Sequence, residues 1–226
     1  MLTLTDCFEY DEKTYNYYGS YSFTGTKIEQ AVVTAILNVT TDDKVVVDMI
    51  KGNNEQDYSS LKTLLENNAY QVNEVSLATG DFDSNAKIAI MYAPSVDLDE
   101  KIVEKLSTWL SNDGKYGRSL IYVPTADIGE MPNLDDFLKK WGMSIDRGYV
   151  FETDESTLVS ASSPYAFTVS YGDYYKDNLK NSKIPVVVSE SHAVNITDEN
   201  TAHALLKTSD KAGVLPIDAD KNWDYK

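Results

Sequence analysis

This sequence has few of the residues that most often carry enzyme chemistry. Its 226 residues include one cysteine, Cys7, and two histidines, His192 and His203. One cysteine cannot form an intramolecular disulfide, which fits a cytosolic protein and also an exported protein of a bacterium that uses few disulfides. No apolar run approaches the roughly 18 residues that span a bilayer, and no signal peptide is recognisable. We interpret the chain as a soluble piece of a longer protein.

The motifs of common catalytic, metal and nucleotide sites are absent as well. Gly-x-Ser-x-Gly does not occur, and two histidines with one distant cysteine do not make a zinc motif. A dinucleotide fingerprint needs several glycines after the first strand, where only Gly52 stands. Asp218–Asp224 has Trp223 where a calcium loop needs glycine, so we interpret it as a solvated acidic tail. We therefore predict no metal, no cofactor and no enzymatic activity.

Positive charge is scarce relative to negative charge. The chain has 20 basic and 36 acidic residues, which gives a formal net charge of −16. A surface of this kind repels phosphate backbones and anionic lipid headgroups. We therefore expect no nucleic-acid partner and no docking to lipid through a basic patch.

Three short apolar runs, each followed by a polar turn, dominate what the sequence does contain. Near-continuous apolar runs are typical of strands that are covered on both faces, as in a parallel sheet. Strands that alternate with helices predict an α/β fold, and parallel sheets place their sites at the carboxyl ends of the strands. The runs are Lys44–Ile50, Lys87–Tyr92 and Ser119–Val123.

We predict one domain over residues 1–226, in three parts. Residues 1–24 are rich in tyrosine around a polar turn, which predicts a β-hairpin beginning directly in a strand. Residues 25–142 form the α/β core. Residues 143–226 add strands and loops, which we expect on the same sheet.

Two helices of the core carry a clear apolar stripe. Thr26–Glu29 matches a capping box that opens the first, and Asp97–Asn112 forms the second, with Asp97 and Asp99 as its caps. We expect both stripes to be buried. The stripe residues are Ile28, Val32, Ala35, Ile36 and Val39 in the first helix and Leu98, Ile102, Val103, Leu106, Trp109 and Leu110 in the second.

Several segments between Tyr21 and Asp210 follow one another in a familiar order. They are Tyr21–Ala31, a strand ending in Gly52–Glu55, the helix Tyr58–Leu65, the turn Ala93–Leu98, the segment Pro132–Met143, and Leu205–Ser209. In this order and spacing they resemble the GldG-like auxiliary proteins of ABC transport systems, a gliding-motility-associated and mostly uncharacterised family.

The resemblance implies a domain on the extracytoplasmic face of the cell membrane, in a membrane-anchored parent protein beside an ABC permease and its ATPase. It also implies a three-layer α/β sandwich, similar to the flavodoxin-like and class I glutamine-amidotransferase-like folds, with no enzymatic activity attached. Many family members carry a Gly-His-Gly-Glu turn after the first strand. Here that turn is Gly52–Glu55 without the histidine, so chemistry proposed for the histidine does not carry over.

The polar turns at the predicted strand ends are the candidate site. Amide, hydroxyl and carboxylate side chains at this position can bind a partner protein or a ligand without any shifted pKa. We predict a non-catalytic recognition crevice. Its residues are Asn53, Asn54, Glu55, Ser95, Asp97, Thr125 and Asp127.

Two alternative functions stay open. A degenerate amidotransferase-like hydrolase requires His192 or His203 beside the hydroxyl of Ser95 or Thr125. A carbohydrate-binding module would use the tyrosine-rich hairpin, because the chain has 16 tyrosines and tyrosine suits sugar stacking. Cross-strand aromatic pairing within the hairpin explains the same tyrosines without a ligand.

Overall fold

The structure is a computed structural model that describes residues 3–125, 129–181, 183–220 and 223. The chain divides into two compact units that alternate along the sequence. The first unit comprises the described residues up to Ile50, Asp57–Ile90 and Leu110–Ile121. The second unit comprises Lys51–Gln56, Met91–Trp109 and the described residues from Tyr122 onward. The single domain predicted above stays a prediction.

Helices and strands alternate up to residue 140, except that β4 and β5 follow one another directly, and strands predominate after that. The described helices are α1 (Leu4–Cys7), α2 (Glu12–Tyr18), α3 (Ile28–Thr40), α4 (Ser59–Asn67), α5 (Glu100–Ser111, followed by a 3₁₀ turn Asn112–Gly114), α6 (Pro132–Lys140) and α7 (Asp173–Lys176). The described strands are β1 (Phe8–Tyr10), β2 (Phe23–Thr26), β3 (Val46–Ile50), β4 (Gln71–Val75), β5 (Ala86–Tyr92), β6 (Ser119–Val123), β7 (Met143–Ile145), β8 (Gly148–Phe151), β9 (Leu158–Ser160), β10 (Ser163–Tyr171), β11 (Val186–Ser189), β12 (Val194–Ile196), β13 (Leu206–Lys207) and β14 (Gly213–Pro216).

A parallel sheet of four strands, in the order β4-β3-β5-β6, confirms the predicted α/β class. The three apolar runs form β3, β5 and β6, with ends within two residues of those predicted. Every residue of β3 is buried, and this strand has a neighbour on both sides. Strand β6 lies at the sheet edge, and its Ile121 is exposed. The three-layer, flavodoxin-like arrangement stays a prediction.

The two apolar stripes differ in burial. The second predicted stripe is buried except for the half-buried Val103, and Leu106 in α5 has 0% exposure. In α3 the prediction is wrong, since Ile36 is 53% exposed and the buried residue of the helix is Ala31, which is not in the predicted stripe. The capping box is wrong too, because Lys27 is the residue before the helix and makes no side-chain cap.

The amino-terminal segment is a strand pair that encloses a helix. Strands β1 and β2 pair antiparallel, as the hairpin prediction requires. Helix α2 replaces the predicted turn because Asp11 accepts a hydrogen bond from Lys13 N at 2.9 Å and Gly19, at φ 67°, ends the helix. The expected strand at the start is wrong, since Leu4–Cys7 is the helix α1.

The strands after residue 142 form antiparallel sheets of their own. Strand β10 pairs with β9, β11 and β13, β7 pairs with β12, and β8 pairs with β14. The expectation that this region extends the parallel sheet is therefore wrong. Its strands find partners late in the chain, which local sequence patterns do not specify. Among the described residues, no helix is long and apolar enough to cross a membrane.

Candidate functional site

The turn after β3 is built around the carboxylate of Glu55. This carboxylate accepts hydrogen bonds from Gly52 N and from Asn53 N, both at 2.9 Å. Gly52 (φ 116°) and Asn54 (φ 54°) take positive φ values, which glycine and asparagine tolerate better than other residues do. Glu55 therefore holds the shape of the turn with its charge directed at backbone N–H groups.

Asn53 joins this turn to the one after β5. Its side chain is 5% exposed and donates from Nδ2 to Asp97 O at 3.0 Å. Its backbone oxygen accepts from Ser95 N and Val96 N, each at 3.1 Å. Because a buried amide without partners destabilises a fold, these bonds make Asn53 a structural link between the two turns.

Asn54 and Ser95 form the exposed part of the same junction. Asn54 Nδ2 donates to Ser95 Oγ, and Ser95 Oγ donates to Asn54 O at 3.0 Å. Both residues are exposed. The structure thus brings two predicted site residues into contact and leaves them accessible to a partner.

Gln56 links the first turn to the end of β6, a role that sequence reasoning missed. Its Nε2 donates to Thr125 Oγ1 at 3.0 Å, and its backbone N donates to Ala93 O at 3.2 Å. Thr125 is 4% exposed, so its hydroxyl is part of the scaffold. The only available signal was an uncharged amide directly after the predicted turn. We call the three segments Gly52–Gln56, Ala93–Asp97 and Thr125 the strand-end crest.

Asp97 caps a helix other than the one predicted. Its carboxylate accepts from Asn133 N at 3.0 Å and Leu134 N at 3.1 Å, in the first turn of α6. Asp99 caps α5 instead and accepts from Lys101 N at 2.9 Å. The expectation that Asp97 caps its own helix is therefore wrong. The reason is that α5 begins at Glu100, which leaves Asp97 free to satisfy N–H groups of α6.

Two sequence predictions lie wholly or partly outside the described residues. Asp127, a predicted site residue, is outside them. The acidic tail Asp218–Asp224 is described only at residues 218–220 and 223. Within the described part of the chain, no three metal-ligating side chains come together.

His192 lies beside Thr125, but at the carbonyl and not at the hydroxyl. Its Nε2 is 3.0 Å from Thr125 O, and its Nδ1 is 2.6 Å from Gly148 O. The ring also stacks on Tyr149, with centroids 5.6 Å apart. His192 therefore ties the end of β6 to the start of β8. Its position could not be predicted because 67 residues separate it from Thr125.

The other histidine, His203, contacts a tyrosine and not a residue of the strand-end turns. The ring of His203 stacks on Tyr174, with centroids 4.4 Å apart, and the residue is exposed. The hydrolase hypothesis thus depends on His192 alone among the described contacts.

Tyr122, near the end of β6, has a buried hydroxyl without a hydrogen-bond partner among the described residues. Burial, and secondly the negative charge of Asp135, raise the pKa of Tyr122 to about 12. Asp135 itself pairs with Arg147 at 3.0 Å. The phenol of Tyr122 is therefore held in its neutral form. It lies shortly before Thr125, the crest residue that follows β6.

The tyrosine-rich segment of the first unit packs largely on itself. Phe8 and Phe23 lie on paired strands with ring centroids 5.2 Å apart, as the cross-strand explanation predicts. Tyr15 stacks on Tyr21 at 4.5 Å, and Tyr10 meets the edge of both. A hydrogen bond to Tyr15 is the main cause that raises the pKa of Tyr21. Ring faces that cover one another leave less area for a stacked sugar.

Comparison with known proteins gives a fold relationship alone. No protein-family model matches the chain, and no curated protein matches it. The chain is similar to a solved structure described as "mmIFT52 N-terminal domain", with a TM-score of 0.55 and 13% identity. The match covers 74% of this chain and 74% of that one. At this identity the likeness supports a shared α/β fold and carries no function.

Proposed function

We propose that this chain is a non-catalytic domain that binds a partner protein or a ligand through the strand-end crest. One observation carries the proposal: exposed Asn54 and Ser95 are bonded to each other on turns that hydrogen bonds lock together. Rigid support lowers the entropy lost on binding, so polar side chains on such a scaffold suit recognition. Buried Asn53 and Thr125 supply the support, and the exposed pair supplies the contact.

The hydrogen bonds of the crest favour binding over catalysis. A nucleophilic hydroxyl needs a base within hydrogen-bond reach. The Thr125 hydroxyl oxygen accepts a hydrogen bond from Gln56, and the Ser95 hydroxyl donates one to Asn54 O. Both ring nitrogens of His192 face backbone carbonyl oxygens. Among the described contacts, neither hydroxyl is hydrogen-bonded to the side chain of a base.

We further propose that the parent protein is a membrane-anchored auxiliary component of an ABC transport system, with this domain on the extracytoplasmic face. The order of segments between Tyr21 and Asp210, which resembles the GldG-like proteins, supports this role. The α/β fold that the family implies agrees with the parallel sheet. The permease and its ATPase are the partners we expect.

Co-purification tests this proposal. The full-length parent protein, expressed with the permease and ATPase encoded beside it, should retain both through affinity purification. Asn54→Ala with Ser95→Ala should lower the yield of the complex by about tenfold, as the loss of central contacts does. The matched control is Asn178→Ala with Ser160→Ala, an exposed pair in the same unit. A wild-type parent protein that retains neither partner would overturn the proposal.

The position of His192 keeps a hydrolase as the second candidate. Its Nε2 lies 3.0 Å from Thr125 O, the backbone oxygen of a residue whose hydroxyl this function would use. Hydrolysis of model esters or amides that is lost in both His192→Ala and Thr125→Ala would favour this function. No turnover by the wild-type protein would reject it.

A further inference from the structure

The two carboxylates of the strand-end crest are both engaged by backbone N–H groups. Glu55 accepts hydrogen bonds from its own turn, and Asp97 accepts them from the first turn of α6. Charge-assisted hydrogen bonds of this kind stabilise the negative charge of each carboxylate. The chain has a net charge of −16, yet the described crest directs its carboxylates inward to its own backbone.

Carboxamides dominate the exposed polar groups of the crest. Asn54 and Gln56 are exposed, and each uses one amide hydrogen within the crest, toward Ser95 and Thr125 respectively. A carboxamide has two N–H donors and an oxygen with two lone pairs. Each therefore keeps one donor and its oxygen for a partner. Val96, 54% exposed, adds an aliphatic surface in the second segment of the crest.

We infer that the crest recognises an uncharged, extended peptide segment of the partner protein. The inference rests on the proposed function and names the chemistry of its partner. A peptide group offers one donor and one acceptor, which complements the free donor and oxygen of Asn54 and of Gln56. An aliphatic side chain of the same segment would pack on Val96, which gives the contact an apolar component.

Other ligand classes fit this surface less well. Sugars are commonly held by stacking on an aromatic ring, and Gly52–Gln56, Ala93–Asp97 and Thr125 contain no aromatic residue. Anions are commonly held at helix N-termini, and Asp97 already occupies the one at α6. The peptide is the class that uses the groups the crest exposes.

Salt dependence and a charge control test the inference. Affinity of the full-length parent protein for the purified permease–ATPase complex encoded beside it is measured in low salt and in about 0.5 M NaCl. We expect a change below about threefold, since uncharged contacts are not screened. Asn54→Ala with Gln56→Ala should weaken binding by about tenfold or more. Lys51→Ala, an exposed charge next to the crest, should leave it within about twofold.

The outcomes separate this inference from the function on which it rests. Weakening by about tenfold in salt overturns the inference and leaves the proposed function standing. Wild-type affinity in the double variant overturns the inference and also the crest as the binding surface. Asn54→Asp with Gln56→Glu keeps side-chain shape but removes the amide donors, and it should bind as weakly as the alanine pair. Circular dichroism verifies that each variant folds. If the wild-type protein does not bind the complex at all, the proposed function itself is overturned.

Discussion

Helices α3 and α5 carry the same kind of apolar stripe and differ in what the stripe contacts. In α5 the stripe is buried apart from the half-buried Val103, and Leu106 has 0% exposure. In α3 the stripe is largely exposed, with Val39 79% exposed, while Ala31 beside it is buried. The spacing of apolar residues thus identifies a helix but does not determine which of its residues are buried. Small residues such as Ala31 allow a neighbouring backbone to approach closely, and here α1 contacts α3.

Truncation of one stripe residue in each helix sharpens this comparison most. We expect Leu106→Ala to lower the free energy of unfolding by about 3 kcal/mol, because it leaves a cavity in the core. Ile36→Ala, at 53% exposure, should cost about 0.5 kcal/mol. Urea unfolding of both variants measures the difference. Equal losses would contradict the account and indicate that the stripe of α3 is packed in solution.

Loss of the Asp97 carboxylate should have the next largest effect. Asp97→Ala removes the acceptor for two N–H groups of α6, and we expect a cost of about 1 to 2 kcal/mol. Asp136→Ala, an exposed carboxylate on the same helix, is the control and should cost less than about 0.5 kcal/mol. Urea unfolding again gives the values. An Asp97→Ala cost no larger than the control would mean that the cap contributes nothing.

Tyr122→Phe should leave the protein as stable or slightly more stable near neutral pH. It removes a buried hydroxyl that has no partner among the described residues. The pKa of Tyr122 is raised to about 12 from 10.0. A group with a raised pKa contributes stability below its unfolded pKa and loses it as the pH rises through the folded value. The wild type should therefore lose stability between pH 10.0 and about 12 more steeply than the variant does.

Thermal unfolding at neutral and alkaline pH measures both effects of that substitution. Tyr116→Phe, at an exposed tyrosine, serves as the control. Strong destabilisation of Tyr122→Phe near neutral pH would show that the hydroxyl has a partner in solution and contradict the account.

The smallest effect is expected at Asp173, an exposed carboxylate near two lysines. A hydrogen bond and the charge of Lys176, then those of Lys207, lower the pKa of Asp173 below its usual 3.8. A lowered pKa gives stability that is present above the unfolded value and is lost as the pH falls through the folded one. At low ionic strength, the Asp173→Asn variant should therefore lose slightly less stability than the wild type as the pH falls below 3.8.

High salt provides the check on the Asp173 prediction. In 1 M NaCl the Debye length is about 3 Å, so the wild type and the variant should unfold alike in acid. A difference that persists in high salt would indicate that the ion pairs are not responsible.

Local pattern was sufficient to predict the parallel strands and the turns that follow them. Strands β3, β5 and β6 occupy the predicted runs, since each is a nearly continuous apolar segment with a turn after it. The proximity of Asn54 and Ser95 follows from the shared edge of a parallel sheet. The strands follow from their own segments, and the Asn54–Ser95 contact, across 41 positions, follows from the rule for parallel sheets.

Features that depend on distant parts of the chain were missed or wrong. Asp97 bonds to residues 36 and 37 positions away, and His192 lies 67 positions from its contact at Thr125. The antiparallel sheets after residue 142 also pair strands across long separations, such as β8 with β14. Partner choice over such distances depends on packing, which no single segment encodes.

The most direct test of the central claim is photocrosslinking at the crest in the membrane-anchored protein that we propose, expressed with its proposed partners. A photoreactive phenylalanine derivative at Asn54 samples the crest, and the same residue at Ile36 samples the exposed stripe of α3. Both positions are exposed. The account predicts a crosslink to a transport partner from Asn54. A crosslink from Ile36 alone, in a complex that still forms, would contradict it.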